Sequence, residues 1–414
     1  MMAFVASSIV ILPFVNDFVD RSGDCSPIVQ ALAACTLLSN ALFTIALKTQ
    51  SVELLWAATL VASLASQTSL LGITIALSVT FVTAAPERAG VVNAMYMLGT
   101  NTIAPIGLIG YGLFPISNAD ADGDGAQVDV TVFGLNIFTT MLGWIIFLNL
   151  PKDLFNLHRY TLSEAGSRPP RGALGCCNVV GSVFQGVASL FGSRNYRGLL
   201  VSGIVGGSFT GQVNIFVVLS VYYLEDWTDS SGDDVQQIYA MSYLSGLLLS
   251  AFLSTPFGML MDRIGALPCV YMSSFSLAGV FCSLLVYPPT TSLIVGALVF
   301  TPSGLSLYII AILPYLLVNV FPDQSTFSRD MGMWFVMGAP MTVGITIAQG
   351  VILSSFGTTG EMMLGNRGRY NQEGYQACFS LSAAACTFIP LILHMTGACY
   401  KPSFERERAD LRML

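Results

Sequence analysis

The stretch SGIVGGSFTGQVNIFVV (Ser202 to Val218) gathers Ser208, Thr210, Gln212 and Asn214 among small glycines and apolar residues. Hydroxyl and amide groups in such company can hydrogen-bond a sugar or other polar solute. They can equally join neighbouring helices, where such contacts average only about 0.6 kcal/mol. Gln67, Asn93, Asn101, Ser306, Tyr308 and Gln349 offer similar chemistry from other apolar runs. A second pattern occurs twice, as Asp20-Arg21-Ser22-Gly23 and Asp262-Arg263-Ile264-Gly265. Its Asp can accept from backbone donors at a neighbouring helix N-terminus, its Arg can pair with a carboxylate, and its Gly permits a tight turn.

The elements that carry these residues must suit an apolar solvent. Charged residues are 10% of the 414 and apolar types 54%, against about 25% charged in an ordinary soluble domain. With a mean hydropathy of +0.69, this is the composition of an integral membrane protein surrounded by lipid. The nine cysteines are mostly single and show no CxxC or Cys/His spacing, so neither a metal nor a cofactor is expected. No nucleophile-and-base set suggests an enzyme, and no basic groove suggests a nucleic-acid partner.

Runs of about 20 apolar residues suffice to cross roughly 30 Å of hydrocarbon. They fall at about 1–19, 27–48, 54–83, 89–116, 131–150, 198–224, 238–261, 267–287, 291–321, 330–356 and 375–397. These predict an all-α polytopic membrane protein with eleven spanning helices. Of the 17 Lys and Arg, only Lys48, Arg367 and Arg369 fall on one side of this arrangement, leaving fourteen on the other. That bias places the 151–197 linker and the C-terminus inside. The outer side receives the acidic loops Ser117 to Asp129 and Glu225 to Asp234, which lack a calcium-loop pattern and read as solvated.

An internal repeat organises the chain. Asp20, Arg21 and Gly23 map onto Asp262, Arg263 and Gly265 at a common offset of 242, and Gly90 meets Gly332 at the same offset. Two halves in the same orientation imply parallel repeats about an axis along the membrane normal. The expected organisation is an N-terminal half at 1–150, a basic inner linker at 151–197, a six-helix half at 198–397 and a charged inner tail at 398–414. Within the linker, Ala173 to Gly192 places Leu174, Cys177, Val180, Phe184, Val187 and Phe191 at helical spacing, the pattern of an amphipathic interfacial helix.

The repeat, the basic linker and the G-x-x-x-D-R-x-G pattern from Gly258 to Gly265 resemble the major facilitator superfamily of secondary transporters. LPYLLVNVFPDQ (Leu313 to Gln324), GMWFVMGAP (Gly332 to Pro340) and RAGVVNAMYMLG (Arg88 to Gly99) are fainter likenesses to its sucrose and glycoside–cation symporter branch. The resemblance implies a two-half helical bundle in which Asp20, Arg21, Gly23, Gly258, Asp262, Arg263 and Gly265 form latches on the inner face. It also implies that the first and fourth helices of each half line the central cavity. Residues 1–19 align with a second helix, so the expected bundle has twelve helices minus the first. The first latch lacks its opening Gly, and both lack the basic residues that commonly follow.

No expected span has a clearly central charge, and such a charge costs at least about 2.5 to 3.5 kcal/mol, so carriers keep one only for function. The resulting expectation is a transporter of a small polar solute without proton coupling. The alternative is a transport-inactive scaffold or accessory subunit, packed against other membrane subunits beside residues 1–19.

Overall fold

The computed structural model describes residues 26–49, 51–67, 88–103, 222–227, 232–286, 290–319, 343–362 and 368–395, with isolated helical residues at 137–149 and 181. Nearly all of this is helix. In chain order the helices are α1 (Ser26–Thr49), α2 (Val52–Gln67), α3 (Ala89–Ile103), α4 (222–227), α5 (Gly232–Ile264), α6 (Ala266–Ser283), α7 (Thr291–Asn319), α8 (Val343–Ser355) and α9 (Gln372–Met395). Between α8 and α9 lies an antiparallel hairpin of β1 (Thr358–Met362) and β2 (Gly368–Tyr370), in register Thr358 to Tyr370 and Met362 to Gly368. Reading for apolar runs alone does not reveal this hairpin.

Among the described residues four helices are long and apolar enough to cross a membrane: Ser26–Ala46, Gln237–Ile264, Ala266–Ser283 and Thr291–Ala311. Their outward faces are apolar as well, as with Phe252 on α5, which is 80% exposed. Lipid, not water, suits such a surface. Some buried hydroxyls are satisfied within their own helices: Ser254 donates to the Ser250 carbonyl at 2.7 Å, and Thr301 to that of Ala297 at 2.7 Å. This back-bonding is what an interior without water requires.

α1 and α2 form a helical hairpin whose turn is tied by the Ser51 N–H to the Ala46 carbonyl at 3.0 Å. Ser51 then caps α2, its Oγ accepting from the Leu54 N–H at 3.3 Å. The main core is built from α5, α6, α7 and α9, with Leu277, Phe281, Ile294, Leu298, Tyr375 and Phe379 fully enclosed. Small residues set the spacing. The Val299 carbonyl presses on Gly246, and Ser303 Oγ donates to the Gly246 carbonyl at 3.2 Å, drawing α7 onto α5. α3 packs on both α5 and α7, although more than 120 residues separate it from them in sequence.

Candidate functional site at the α3, α5 and α7 contact

The second Asp-Arg-x-Gly pattern forms the junction of α5 and α6. Gly265 has φ +93°, and its N–H donates to the Met261 carbonyl at 2.8 Å, so a single residue ends one helix and starts the next. An L side chain is strained in that region. Asp262 lies in the last turn of α5. Its Oδ1 accepts the Gly90 N–H at 2.7 Å and its Oδ2 the Val91 N–H at 3.2 Å. Both amides belong to the first turn of α3, which has no intrahelical acceptors for them. The carboxylate thus satisfies two orphan donors and faces the positive end of the helix dipole.

Close approach makes this reach possible. A Cβ on Gly90 would strike the Gly258 carbonyl and lie 2.7 Å from Asp262 Oδ1, while one on Gly258 would lie 2.7 Å from Ala94 Cβ. The opening Gly of the pattern therefore lets the backbones of α3 and α5 touch, and the Asp four residues on then meets the α3 N-terminus. Arg263 is exposed in the last turn of α5.

One turn further along α3, Asn93 is fully buried. Its Nδ2 donates to the carbonyls of Ile309 and Ile310 on α7, each at 3.3 Å. α3 is therefore held to α5 by its backbone and to α7 by a side chain.

A second polar cluster lies near the start of α5, at the opposite end of that 33-residue helix from Asp262. Asp226 of α4 is 2% exposed, so the solvated reading of the Glu225 to Asp234 loop fails at this residue. Its Oδ2 accepts the Tyr375 hydroxyl at 2.6 Å and the Tyr370 N–H at 3.2 Å. Trp227 Nε1 donates to the Tyr370 carbonyl at 3.2 Å, so consecutive side chains of α4 hold both backbone groups of Tyr370. The Arg369 guanidinium sits 4.2 Å above the Trp227 ring. Gln372 Nε2 donates to the Tyr223 hydroxyl at 3.2 Å, and Tyr223 packs its ring on Tyr375 at 4.8 Å.

Of the residues singled out for solute contact, Ser208, Thr210, Gln212 and Asn214 lie outside the described residues, as do Asp20, Arg21 and Gly23 of the first pattern. Gln67 and Asn101 lie on α2 and α3, with their side chains outside the description. Ser306 and Tyr308 are buried on α7. Gln349, buried on α8, donates through Nε2 to Ser382 Oγ on α9 at 3.0 Å, and its carbonyl accepts from the Cys378 thiol at 3.5 Å. The structure thus brings Asn93, Gly258 and Asp262 to one contact, leaves Gly265 to the turn that follows, and directs Gln349 toward α9. The Asp226 cluster was missed in sequence; its signal was a carboxylate set among aromatics in YYLEDW, with GRYNQEGY to receive it.

Compared by sequence, the chain matches no family model and no curated protein. Compared by structure, it is similar to the proton:xylose symporter XylE, with TM-score 0.64 and 10% identity over 95% of this chain and 84% of that one. It is similar also to the human organic anion transporter MFSD10, with TM-score 0.61 and 12% identity over 94% and 82% of the two chains. The E. coli fucose:proton symporter FucP gives TM-score 0.57 and 11% identity over 94% and 89%. The fold is that of the major facilitator superfamily, and the chain is an integral multi-pass membrane protein.

Proposed function

We propose that this protein is a carrier that moves a small polar solute, sugar-like in its hydrogen-bonding chemistry, by exposing a central cavity alternately to the two sides of the membrane. The observation that carries this reading is the contact of Asp262 with the N-terminus of α3. Residues on opposite sides of the 151–197 linker meet there through a charge and two backbone amides. Such a contact can break and reform without unfolding either partner, as alternating access requires. The similarity to carriers described as transporting xylose, fucose and organic anions supports the same reading.

In this reading 1–150 and 198–397 are the two moving halves, with the linker and C-terminus inside. Ser208, Thr210, Gln212 and Asn214 face the solute, and the inner-face latch includes Gly258, Asp262, Arg263 and Gly265. Transport is facilitated rather than driven by protons, because the expected spans lack a central charge. The sucrose and glycoside branch is the favoured relation within the superfamily. The test is uptake into liposomes of a panel of sugars, amino acids and anions, with and without an imposed pH gradient. Sugar uptake above empty vesicles that ignores the gradient is expected. Absence of uptake across the panel, with a second subunit co-purifying, would favour the scaffold reading.

A further inference from the structure

The bond from Asn93 to α7 has a cause four residues further along the chain. In an α-helix the carbonyl of Ile310 accepts from the N–H of residue 314, and residue 314 is proline, which has none. That carbonyl is in the interior, on a residue with no exposed surface, where no lipid or bulk water can supply a donor. The donor comes from another helix. Asn93 Nδ2 lies 3.3 Å from the Ile310 carbonyl and 3.3 Å from that of Ile309. Asn93 lies in the same turn of α3 as Gly90, whose N–H is held by Asp262.

We propose that Asn93 is a positioning residue that ties contact between α3 and the later helices to the helical hydrogen bond missing at Pro314 in α7. While the contact is closed, the Asn93 amide supplies the bond that Pro314 removes, and the buried Ile310 carbonyl stays paired. When α3 moves away, the Ile310 carbonyl loses its donor and α7 must adjust around Pro314. This consequence rests on the carrier reading above, in which α7 is the fourth helix of its half and lines the cavity. Closure at the Asp262 end of the bundle is then transmitted to a cavity wall through one side chain. Asp262 secures the contact, and Asn93 reports it to α7.

The pairing of an orphan carbonyl with a donor from another helix can be tested by rescue. In the full-length protein purified in detergent, thermal unfolding is compared for wild type, Asn93→Leu, Pro314→Ala and the double variant. Asn93→Leu removes the donor at similar volume, while Pro314→Ala restores an N–H within α7. The proposal expects a clear fall in melting temperature for Asn93→Leu in the wild-type background and less than half that fall beside Pro314→Ala. Equal falls in the two backgrounds overturn it. Should Asn93→Leu alone not accumulate, the double variant must, and failure of both overturns the proposal too.

A conformational readout separates positioning from packing. Met97 is buried one turn beyond Asn93, so Met97→Cys, in a chain with its native cysteines replaced, reports opening of the contact to a membrane-impermeant thiol reagent. Adding Asn93→Leu should raise its labelling rate about tenfold, and an unchanged rate overturns the positioning role. Neither measurement needs a transported solute, so a failure here is distinguishable from a failure of the uptake assay.

Discussion

Asp262 and Gly90 stand 172 residues apart in sequence, and the carboxylate of one accepts the backbone N–H of the other at 2.7 Å. Charged groups are scarce in this chain, and here one is placed against a helix end that has donors to spare. Capping and dipole interactions of this kind are worth about 1 kcal/mol when exposed and up to about 2 when partly buried. Asp262→Ala should therefore cost about 1 to 2 kcal/mol in thermal or chemical unfolding of the detergent-solubilised protein. Asp262→Asn, which retains one acceptor oxygen, should cost less. Equal stability of all three forms would show that the contact contributes nothing.

The glycines that permit this approach should be less tolerant than the Asp itself. Gly90→Ala and Gly258→Ala each place a methyl group against the opposing backbone, and overpacking of this kind costs about 1 to 3 kcal/mol. Gly279→Ala on α6 meets nothing within 4 Å and serves as the neutral comparison. Melting temperatures of the three variants should rank Gly279→Ala well above the other two.

At the Asp226 cluster, the prediction concerns two bonds that share one oxygen. Asp226→Ala leaves the Tyr375 hydroxyl and the Tyr370 N–H without their acceptor in a buried site, at about 1 to 3 kcal/mol per orphaned group. Tyr375→Phe removes only one partner and should cost about 1 kcal/mol. The two substitutions should be strongly non-additive in a double-mutant cycle, with a coupling between about 0.5 and 3 kcal/mol. Hydrogen exchange at the Tyr370 amide should accelerate in Asp226→Ala but not in Tyr375→Phe.

How far the sequence foretold these features depends on the distance over which each is determined. The turn at Gly265 was legible because an Asp-Arg-x-Gly between apolar runs carries its own geometry. The bounds of α1, α6 and α7 follow hydropathy closely, since each run is also a helix that lipid can surround. Asp262 was legible as a capping residue, but not the helix it caps, because nothing local points from residue 262 to residue 90. Asp226 was misread for the same reason. Hydropathy records a carboxylate beside other carboxylates, whereas its burial comes from Tyr370 and Tyr375, which arrive more than 140 residues later. Asn93 stands out in sequence as a polar residue in an apolar run, and Pro314 as a proline in another. Only the fold shows that one supplies what the other removes.

Trp227 allows two contributions at one position to be separated. Its indole N–H donates to the Tyr370 carbonyl, and its ring face receives the Arg369 guanidinium. Trp227→Phe removes the donor and keeps an aromatic face, so it should cost about 0.5 to 1.5 kcal/mol, the net worth of a single hydrogen bond. Trp227→Leu removes the face as well and should cost about 0.5 to 1 kcal/mol more, the range for a partly solvated cation–π contact. Hydrogen exchange across 358–370 should quicken in the same order, because α4 holds the hairpin through Tyr370 and Arg369. If Trp227→Phe and Trp227→Leu prove equally destabilising, the Arg369 stacking contributes nothing and the backbone bonds to Tyr370 alone hold the hairpin to α4.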